Sequence, residues 1–211
     1  LTIRNIQHLM NRGCKAVAVA CNTATSAAVR KLREMYPNFP IVGIEPAVKP
    51  ACMENPGGKV LVMATPMTVR LGKLHLLCER FRHVAQIETL SCPGLMEFVE
   101  EGRDQTPELM HFLEELLAPY RDVDAVVLGC THYPLLRPII QNRMGPDVKL
   151  IDSGAECVRD ISVLLNYFEI NRSREKQELN HQFYTTANAK SFSEIAESWL
   201  GLKVNVEHVS L

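Results

Sequence analysis

Short apolar runs rich in β-branched residues alternate with helical patterns along most of the chain. The runs at 16–20, 60–64 and 125–128 have no polar residue at alternate positions, which is typical of strands buried on both faces of a parallel sheet. Helical spacing or capping residues follow each of them. Further strands are predicted at 41–44, 87–91, 148–152, 182–186 and 204–209, and helices at 2–11, 25–33, 68–82, 95–101, 106–118, 135–143, 154–168 and 192–200. This alternation predicts an α/β protein with parallel sheets.

Two polar or turn-rich stretches divide the pattern. Residues 45–58 contain three prolines and two glycines, and we interpret them as the crossing into a second domain. Residues 171–180 are polar and charged, which predicts a linker. Because the first part shows only two strands, we expect the tail to return and pair with it. The predicted first domain is 1–45 plus 176–211, and the second is 46–175.

Two cysteine-bearing stretches repeat each other in register. Residues 15–21 align with residues 124–130 without a gap, and a helical pattern follows each. Cys21 and Cys130 are therefore both predicted at the carboxyl end of a buried strand. In open α/β sheets, ligands bind at that end. The repeat predicts two similar α/β halves, each contributing one strand-end thiol.

The residues beside the two cysteines suit proton transfer on an anionic ligand. A free thiol has a pKa of about 8.5, and a helix N-terminus or nearby cationic donors lower it. Asn22, Thr23 and Thr131 add hydroxyl and amide donors, which suit a carboxylate. His132 is placed to exchange a proton with Cys130. One thiolate removing a proton from a carbon, while the opposite thiol supplies one to the other face, would invert a stereocentre.

Composition excludes some classes of protein but does not identify the function. The 211 residues carry a net charge of −1, with 46% hydrophobic and 22% charged residues. This balance gives no support for a nucleic-acid or membrane surface, and no apolar run reaches the length of a membrane span. Seven cysteines with no Cys-x-x-Cys pair favour a reduced, cytoplasmic protein over a disulfide framework.

Other interpretations of the thiols remain open. A single cysteine is most often a small buried hydrophobic residue. We assign that role to Cys14, Cys52, Cys78, Cys92 and Cys157. Cys130-x-His132 is also a possible metal-ligand pair, but no second close pair accompanies it, so no metal is expected. Thiol redox chemistry lacks a nearby resolving cysteine.

The two cysteine motifs resemble a known family. VACNTATS at 19–26 and LGCTHYPLL at 128–136 are similar to the paired signature segments of glutamate racemases, in the aspartate/glutamate racemase family. Four further segments support the resemblance, which covers nearly the whole chain. They are GIEPAVKPA at 43–51, ATPMT at 64–68, LIDSGAE at 150–156 and FYTTAN at 183–188. Glu100 also falls where members of the family often have a glutamate near the histidine.

The resemblance implies two pseudo-symmetric α/β domains with the active site between them. It implies that Cys21 and Cys130 are the two acid/base residues, that His132 assists Cys130, and that Glu100 supports the histidine. Substrate-binding positions carried over from the family are Asn22, Thr23, Thr65, Thr68 and Thr131. The implied reaction is cofactor-independent racemisation of L-glutamate to D-glutamate, supplying peptidoglycan synthesis.

Several expectations about partners accompany this resemblance. The expected partner is a small molecule, glutamate, with no nucleic acid, membrane or cofactor. A homodimer is left open. Two alternatives stay open. One is a racemase of aspartate or another acidic compound, and the other is a catalytically inactive fragment or binding protein of the same fold.

The sequence departs from the family pattern before its first cysteine. Members of the family begin with a strand that ends in an Asp-Ser-Gly segment and later carry a Tyr-Gly or Phe-Gly loop, and neither precedes Cys21 here. The Asp-Ser-Gly at 152–154 lies in the second predicted domain and does not replace the first. We therefore expect the 211 residues alone to lack a partner carboxylate for Cys21 and to be nearly inactive.

Overall fold

A computed structural model describes residues 1–172 and 181–211. Its α-helices are α1 (Thr2–Asn11), α2 (Asn22–Ala24), α3 (Arg30–Met35), α4 (Val48–Glu54), α5 (Pro66–Arg70), α6 (Gly72–Phe81), α7 (Leu95–Glu100), α8 (Pro107–Leu117), α9 (Arg137–Met144), α10 (Gly154–Tyr167) and α11 (Ala189–Leu200). Its strands are β1 (Val17–Val19), β2 (Ile41–Gly43), β3 (Lys59–Ala64), β4 (Gln86–Ser91), β5 (Ala125–Leu128), β6 (Lys149–Ile151), β7 (Phe183–Thr185) and β8 (Val206–His208). Of the predicted linker, residues 173–180 lie outside the described ranges.

Four parallel strands form the larger sheet, which we call the Cys130 sheet. The strand order is β4-β3-β5-β6, and every pairing is parallel. All four residues of β5 are buried, as expected of a central strand covered on both faces. Val126 and Leu128 face one hydrophobic core, while Ala125 and Val127 face the other. The predicted α/β class with parallel sheets is confirmed.

A smaller two-stranded sheet, which we call the Cys21 sheet, holds the first cysteine. Strands β1 and β2 are parallel, with Val17 opposite Ile41. The helix after β1 runs from α2 through a π-helical stretch at Thr25–Val29 into α3. Leu32 on α3 is fully buried against the apolar residues of both strands. The Cys21 sheet therefore has its own hydrophobic core on one face. Ala18 on the other face is exposed, so the predicted burial of the run at 16–20 on both faces is wrong.

The tail from 181 to 211 differs from the prediction. Strands β7 and β8 pair in parallel with each other, and within the described ranges neither pairs with β1 or β2. The tail contacts α1 through side chains instead. Arg12 forms an ion pair with Glu207 at 2.9 Å and lies over the Tyr184 ring. The expected strand pairing is thus wrong, and the proposed domain boundaries stay a prediction.

Two further elements differ from the expected pattern. The proline-rich crossing contains α4, which the sequence did not indicate as a helix. Val48, Ala51 and Cys52 lie at helical spacing and are completely buried, while Pro50 occupies the first turn, where its missing N–H costs no helical hydrogen bond. The helix predicted up to residue 82 is interrupted at Leu71, whose backbone is extended. None of the described helices is long and apolar enough to span a lipid bilayer.

Candidate active site

The two predicted strand ends each carry a cysteine. Cys21 follows β1, has an extended backbone and stands at the N-cap of α2, with its side chain exposed. Cys130 follows β5 and is 7% exposed. The two thiols lie close enough for the charge of Cys21 to raise the pKa of Cys130. The structure therefore brings together the two cysteines that the repeat identified.

The environment of Cys130 favours its neutral form. Burial is the main cause that raises the pKa of this thiol, and the charges of Cys21 and Glu100 act in the same direction. The backbone N–H of His132 and the hydroxyl of Thr131 oppose the rise, because they stabilise the thiolate. These effects together disfavour the thiolate, and a neighbour that accepts the proton would favour it.

His132 and Glu100 form a polar chain that leads away from Cys130. The Sγ of Cys130 lies 3.6 Å from Nδ1 of His132, and Nε2 of His132 lies 3.2 Å from Oε1 of Glu100. If Nε2 donates its proton to Glu100, Nδ1 carries a lone pair that accepts from the thiol. Glu100, at the end of α7, then stabilises the imidazolium that results. This arrangement fits the predicted roles of both residues.

Three threonines form a hydroxyl cluster between the Cys21 and Cys130 sheets. Thr23 Oγ1 lies 2.8 Å from Thr68 Oγ1 and 3.3 Å from Thr65 Oγ1. Thr65 is the N-cap of α5, and its side chain accepts from the backbone N–H of Thr68. Three of the four predicted substrate-binding threonines are therefore in direct contact. Thr68 is 2% exposed, while Thr23 and Thr65 are partly exposed.

Asn22 is buried and bridges the two halves. Its Nδ2 donates to the carbonyl oxygen of Gly129 at 2.8 Å, and its side chain is 4% exposed. Its Oδ1 is also buried and has no hydrogen-bond partner among the described residues. A buried amide with one free acceptor is suited to a ligand that donates, such as an ammonium group.

Thr131 completes the predicted set at the mouth of a cavity. It is exposed, and its Oγ1 lies 3.5 Å from Nδ1 of His132. A cavity of about 350 Å³ lies between the two sheets and is lined by Asn22, Cys130 and Thr131, together with Ser153. Of the predicted site residues, Asn22, Cys130 and Thr131 line this cavity. The threonine cluster and His132 lie outside its lining, and His132 lines a separate pocket with Glu100.

Two residues at this site were missed by the sequence analysis. Ser153 is 9% exposed, and its hydroxyl donates to the backbone carbonyl of Glu45, where the chain crosses between the halves. Gly129 lies so close to β3 that a Cβ would come within 2.5 Å of the Met63 carbonyl oxygen. A glycine at the end of a buried strand is the available signal of such close approach.

The other five cysteines differ in burial, and Cys157 lines the same cavity as Cys130. Cys52, Cys78 and Cys92 are buried, as expected of small hydrophobic residues, while Cys157 is intermediate. Burial raises the pKa of Cys92 to about 12 and that of Cys78 to about 11. Cys14 is exposed, so its assignment as a buried hydrophobic residue is wrong. It lies just beyond α1, where the chain turns at the surface.

Comparison with known proteins identifies the family. A family model described as Asp/Glu/Hydantoin racemase matches residues 2–161. The chain belongs to this racemase family. It is 57% identical over 98% of its length to a glutamate racemase from Streptococcus sanguinis, of which it covers 78%. It is 50% identical over the same share to a glutamate racemase from Streptococcus gordonii, again covering 78%. The predicted enzyme class, an isomerase acting as an amino-acid racemase, is confirmed.

Solved structures share the fold. A glutamate racemase isoform from Bacillus anthracis has a TM-score of 0.86 and 30% identity, with 99% of this chain and 79% of that chain covered. The Escherichia coli glutamate racemase, solved with L-glutamate and the activator UDP-MurNAc-ala, has a TM-score of 0.81 and 28% identity, with 96% and 77% covered. The α/β fold class is therefore shared with glutamate racemases.

Proposed function

We propose that this protein interconverts L-glutamate and D-glutamate, with Cys21 and Cys130 as the two acid/base residues. The observation that carries the proposal is the position of the two thiols. Each follows the carboxyl end of a parallel strand, and Asn22, next to Cys21, donates to the carbonyl of Gly129, next to Cys130, at 2.8 Å. The charge of Cys21 accordingly raises the pKa of Cys130. The names of the close relatives support glutamate as the substrate.

The proposed reaction is two proton transfers at one carbon. The thiolate of one cysteine takes the proton from Cα of glutamate and becomes a thiol. The thiol of the other cysteine gives its proton to the opposite face of the resulting carbanion and becomes a thiolate. The sum leaves the protein with the same number of protons, and the next turnover in the reverse direction restores each cysteine. The thiols carry out both transfers, so no cofactor is required.

His132 and Glu100 serve Cys130 in this scheme. Because burial raises the pKa of Cys130, a neighbour that accepts the proton favours formation of its thiolate. His132 Nδ1 is the nearest such group, at 3.6 Å. Glu100 at Nε2 compensates the charge that then develops on the imidazole.

Two groups of donors are proposed to hold the substrate: Asn22 and Thr131 at the cavity, and the threonine cluster that begins one residue after Asn22. In this proposal the partly exposed hydroxyls of Thr23 and Thr65 bind one carboxylate, and Thr68 supports them. Thr131 offers a further hydroxyl beside His132, and the free Oδ1 of Asn22 is an acceptor for the ammonium group. The product D-glutamate would supply peptidoglycan synthesis in the cytoplasm. A homodimer is also part of the proposal.

The test replaces each cysteine with serine in the complete gene product. Glutamate of either configuration is incubated in deuterium oxide, and its enantiomers are separated by chiral chromatography and analysed for deuterium at Cα. The unmodified protein should racemise both enantiomers, and Cys21→Ser and Cys130→Ser should each lose interconversion in both directions. Near-normal interconversion by either variant would rule out the two-thiol mechanism.

The same experiment separates the alternative functions. Turnover of aspartate with none of glutamate would indicate a related racemase of another acidic compound. Binding of glutamate without turnover in the unmodified protein would indicate a catalytically inactive member of the fold. Either result would replace the proposal of glutamate racemisation.

A further inference from the structure

A single side chain links the neighbourhoods of the two thiols. Asn22 directly follows Cys21, and Gly129 directly precedes Cys130. The hydrogen bond from Asn22 Nδ2 to the Gly129 carbonyl, 2.8 Å long and buried, therefore joins residues next to both cysteines, although they lie 107 positions apart in sequence. We call this contact the Asn22–Gly129 tether.

Both ends of the tether are fixed in place. The backbone N–H of Gly129 donates to the Met63 carbonyl at 2.8 Å, so the end of β5 is held against β3. On the other side, the N–H of Thr25 donates to the carbonyl of Cys21 at 2.8 Å, which closes the first helical turn after the cysteine. Because neither end can shift freely, the tether fixes the distance between the ends of β1 and β5.

A second contact supports the same alignment. Thr23, one residue further along, contacts Thr68 at the start of the second half, at 2.8 Å between the hydroxyls. The Ser153 hydroxyl also joins the halves, but it does so at the crossing segment near Glu45. Of these three links, only the Asn22–Gly129 tether adjoins both cysteines.

We propose that Asn22 is a positioning residue that sets the separation between the Cys21 and Cys130 thiols. The inference rests on the proposed two-thiol racemisation. Inversion requires both sulfurs to reach the same carbon from opposite faces, and an error of about 1 Å in such placement costs roughly 10²-fold in rate. Exchange of the α-proton on one face requires only one thiol. Loss of the tether should therefore impair inversion more than exchange.

This difference distinguishes positioning from substrate binding. Asn22→Asp retains an oxygen acceptor and nearly the same shape but, when ionised, cannot donate to the Gly129 carbonyl. Asn22→Ala removes both the donor and the acceptor. If Asn22 only binds substrate, Asn22→Asp should keep the ratio of the inversion rate to the exchange rate. If Asn22 positions the thiols, this ratio should fall in both variants.

The main measurement is the partition of deuterium at low conversion. The complete gene product and its variants are incubated with D-glutamate in deuterium oxide at about pH 8.5, so that even an aspartate whose pKa is raised about 4 units by burial is mostly ionised. We expect inversion in Asn22→Asp to fall by about 10- to 100-fold. Deuterium in the remaining D-glutamate, relative to L-glutamate formed, should rise.

Thr25→Val provides the matched control. Thr25 is also buried and donates to the Val19 carbonyl at 3.0 Å, but that hydrogen bond lies within the Cys21 half. The control variant therefore loses a buried hydrogen bond without loosening the two halves. It should lower thermal stability and keep the partition of the unmodified protein.

Alkylation of Cys130 tests the tether independently of turnover. Without the tether, the two halves should separate more readily, and a hydrogen bond of this kind shifts such an equilibrium by about tenfold. Iodoacetamide should then modify Cys130 about tenfold faster in Asn22→Ala than in Thr25→Val, as measured by mass spectrometry of the peptide. Equal rates, or an unchanged deuterium partition in Asn22→Asp, would overturn the inference. Absence of turnover in the unmodified protein would instead refute the proposed function. The alkylation rates of Cys130 would still test whether the tether holds the two halves together.

Discussion

Replacing Gly129 with alanine should both destabilise the protein and slow its reaction. A Cβ at this position would lie 2.5 Å from the Met63 carbonyl oxygen, whereas real Cβ atoms essentially never approach closer than 3.0 Å. The obstacle is backbone and cannot rotate away. The ends of β3 and β5 must therefore move apart by at least about 0.5 Å.

The magnitude follows from the contacts that this movement disturbs. Forced overpacking of a buried position typically costs about 1–3 kcal/mol of unfolding free energy. The N–H of Gly129 donates to the same Met63 oxygen, so its hydrogen bond is weakened at the same time. Cys130 is the next residue and moves with Gly129. If an error of 1 Å costs about 10²-fold, a displacement of half that size should lower kcat by about tenfold.

Gly72→Ala is the appropriate control. Gly72 is the first residue of α6, and a Cβ there would meet no atom within 4 Å. Alanine should stabilise this position by about 0.4–1 kcal/mol, because it restricts the unfolded chain.

Urea unfolding and chiral assay of D-glutamate formation measure the two effects in the complete gene product. We expect Gly129→Ala to lose stability and turnover, while Gly72→Ala keeps turnover. If Gly129→Ala matches the unmodified protein in both assays, the close approach of the strands does not position the thiol as argued.

Two further predictions concern His132 and the buried thiols. His132→Asn should lower kcat by about 10²–10⁴-fold. Because the two enantiomers have equal free energy, kcat/KM must fall equally in both directions, so the one-sided role of His132 should appear as a larger α-deuterium isotope effect for the enantiomer that Cys130 deprotonates. Equal isotope effects for the two enantiomers would contradict this role. Burial raises the folded-state pKa of Cys92 from 9.0 to about 12, so the stability that its protonated thiol contributes is complete below about pH 9 and is lost as pH rises toward 12. Unfolding free energy should decline by about 1.4 kcal/mol per pH unit for this group, and Cys92→Ala should flatten the slope in urea titrations, whereas an unchanged slope would show that Cys92 is not responsible.

The elements near the cysteines were predictable because they depend on local sequence. An uninterrupted apolar run followed by a helical pattern is enough to predict β1 and β5, and with them the strand-end positions of Cys21 and Cys130. The contacts between the halves depend on tertiary structure. The closeness of Gly129 to the Met63 carbonyl has no signature beyond the glycine itself.

The errors of prediction have physical causes as well. Helix α4 was missed because Pro46 and Pro56 flank it and Pro50 lies in its first turn, although its buried face has ordinary helical spacing. The tail strands β7 and β8 have only three residues each, and such short strands carry too little pattern to specify a partner. Their pairing with each other, and the contact of Arg12 with Glu207 and Tyr184, were visible only in the structure.

The two-sided burial of β5 limits how the gene segment encoding it can vary. Its successive residues face opposite hydrophobic cores. Deleting or inserting one codon within residues 125–128 would turn each shifted side chain toward the wrong core and would also displace Cys130 along the strand axis by about 3.3 Å. Such a change would damage stability and chemistry together. Variation there should therefore be confined to substitutions of similar volume, while the surface turn at 101–106 should tolerate changes in length.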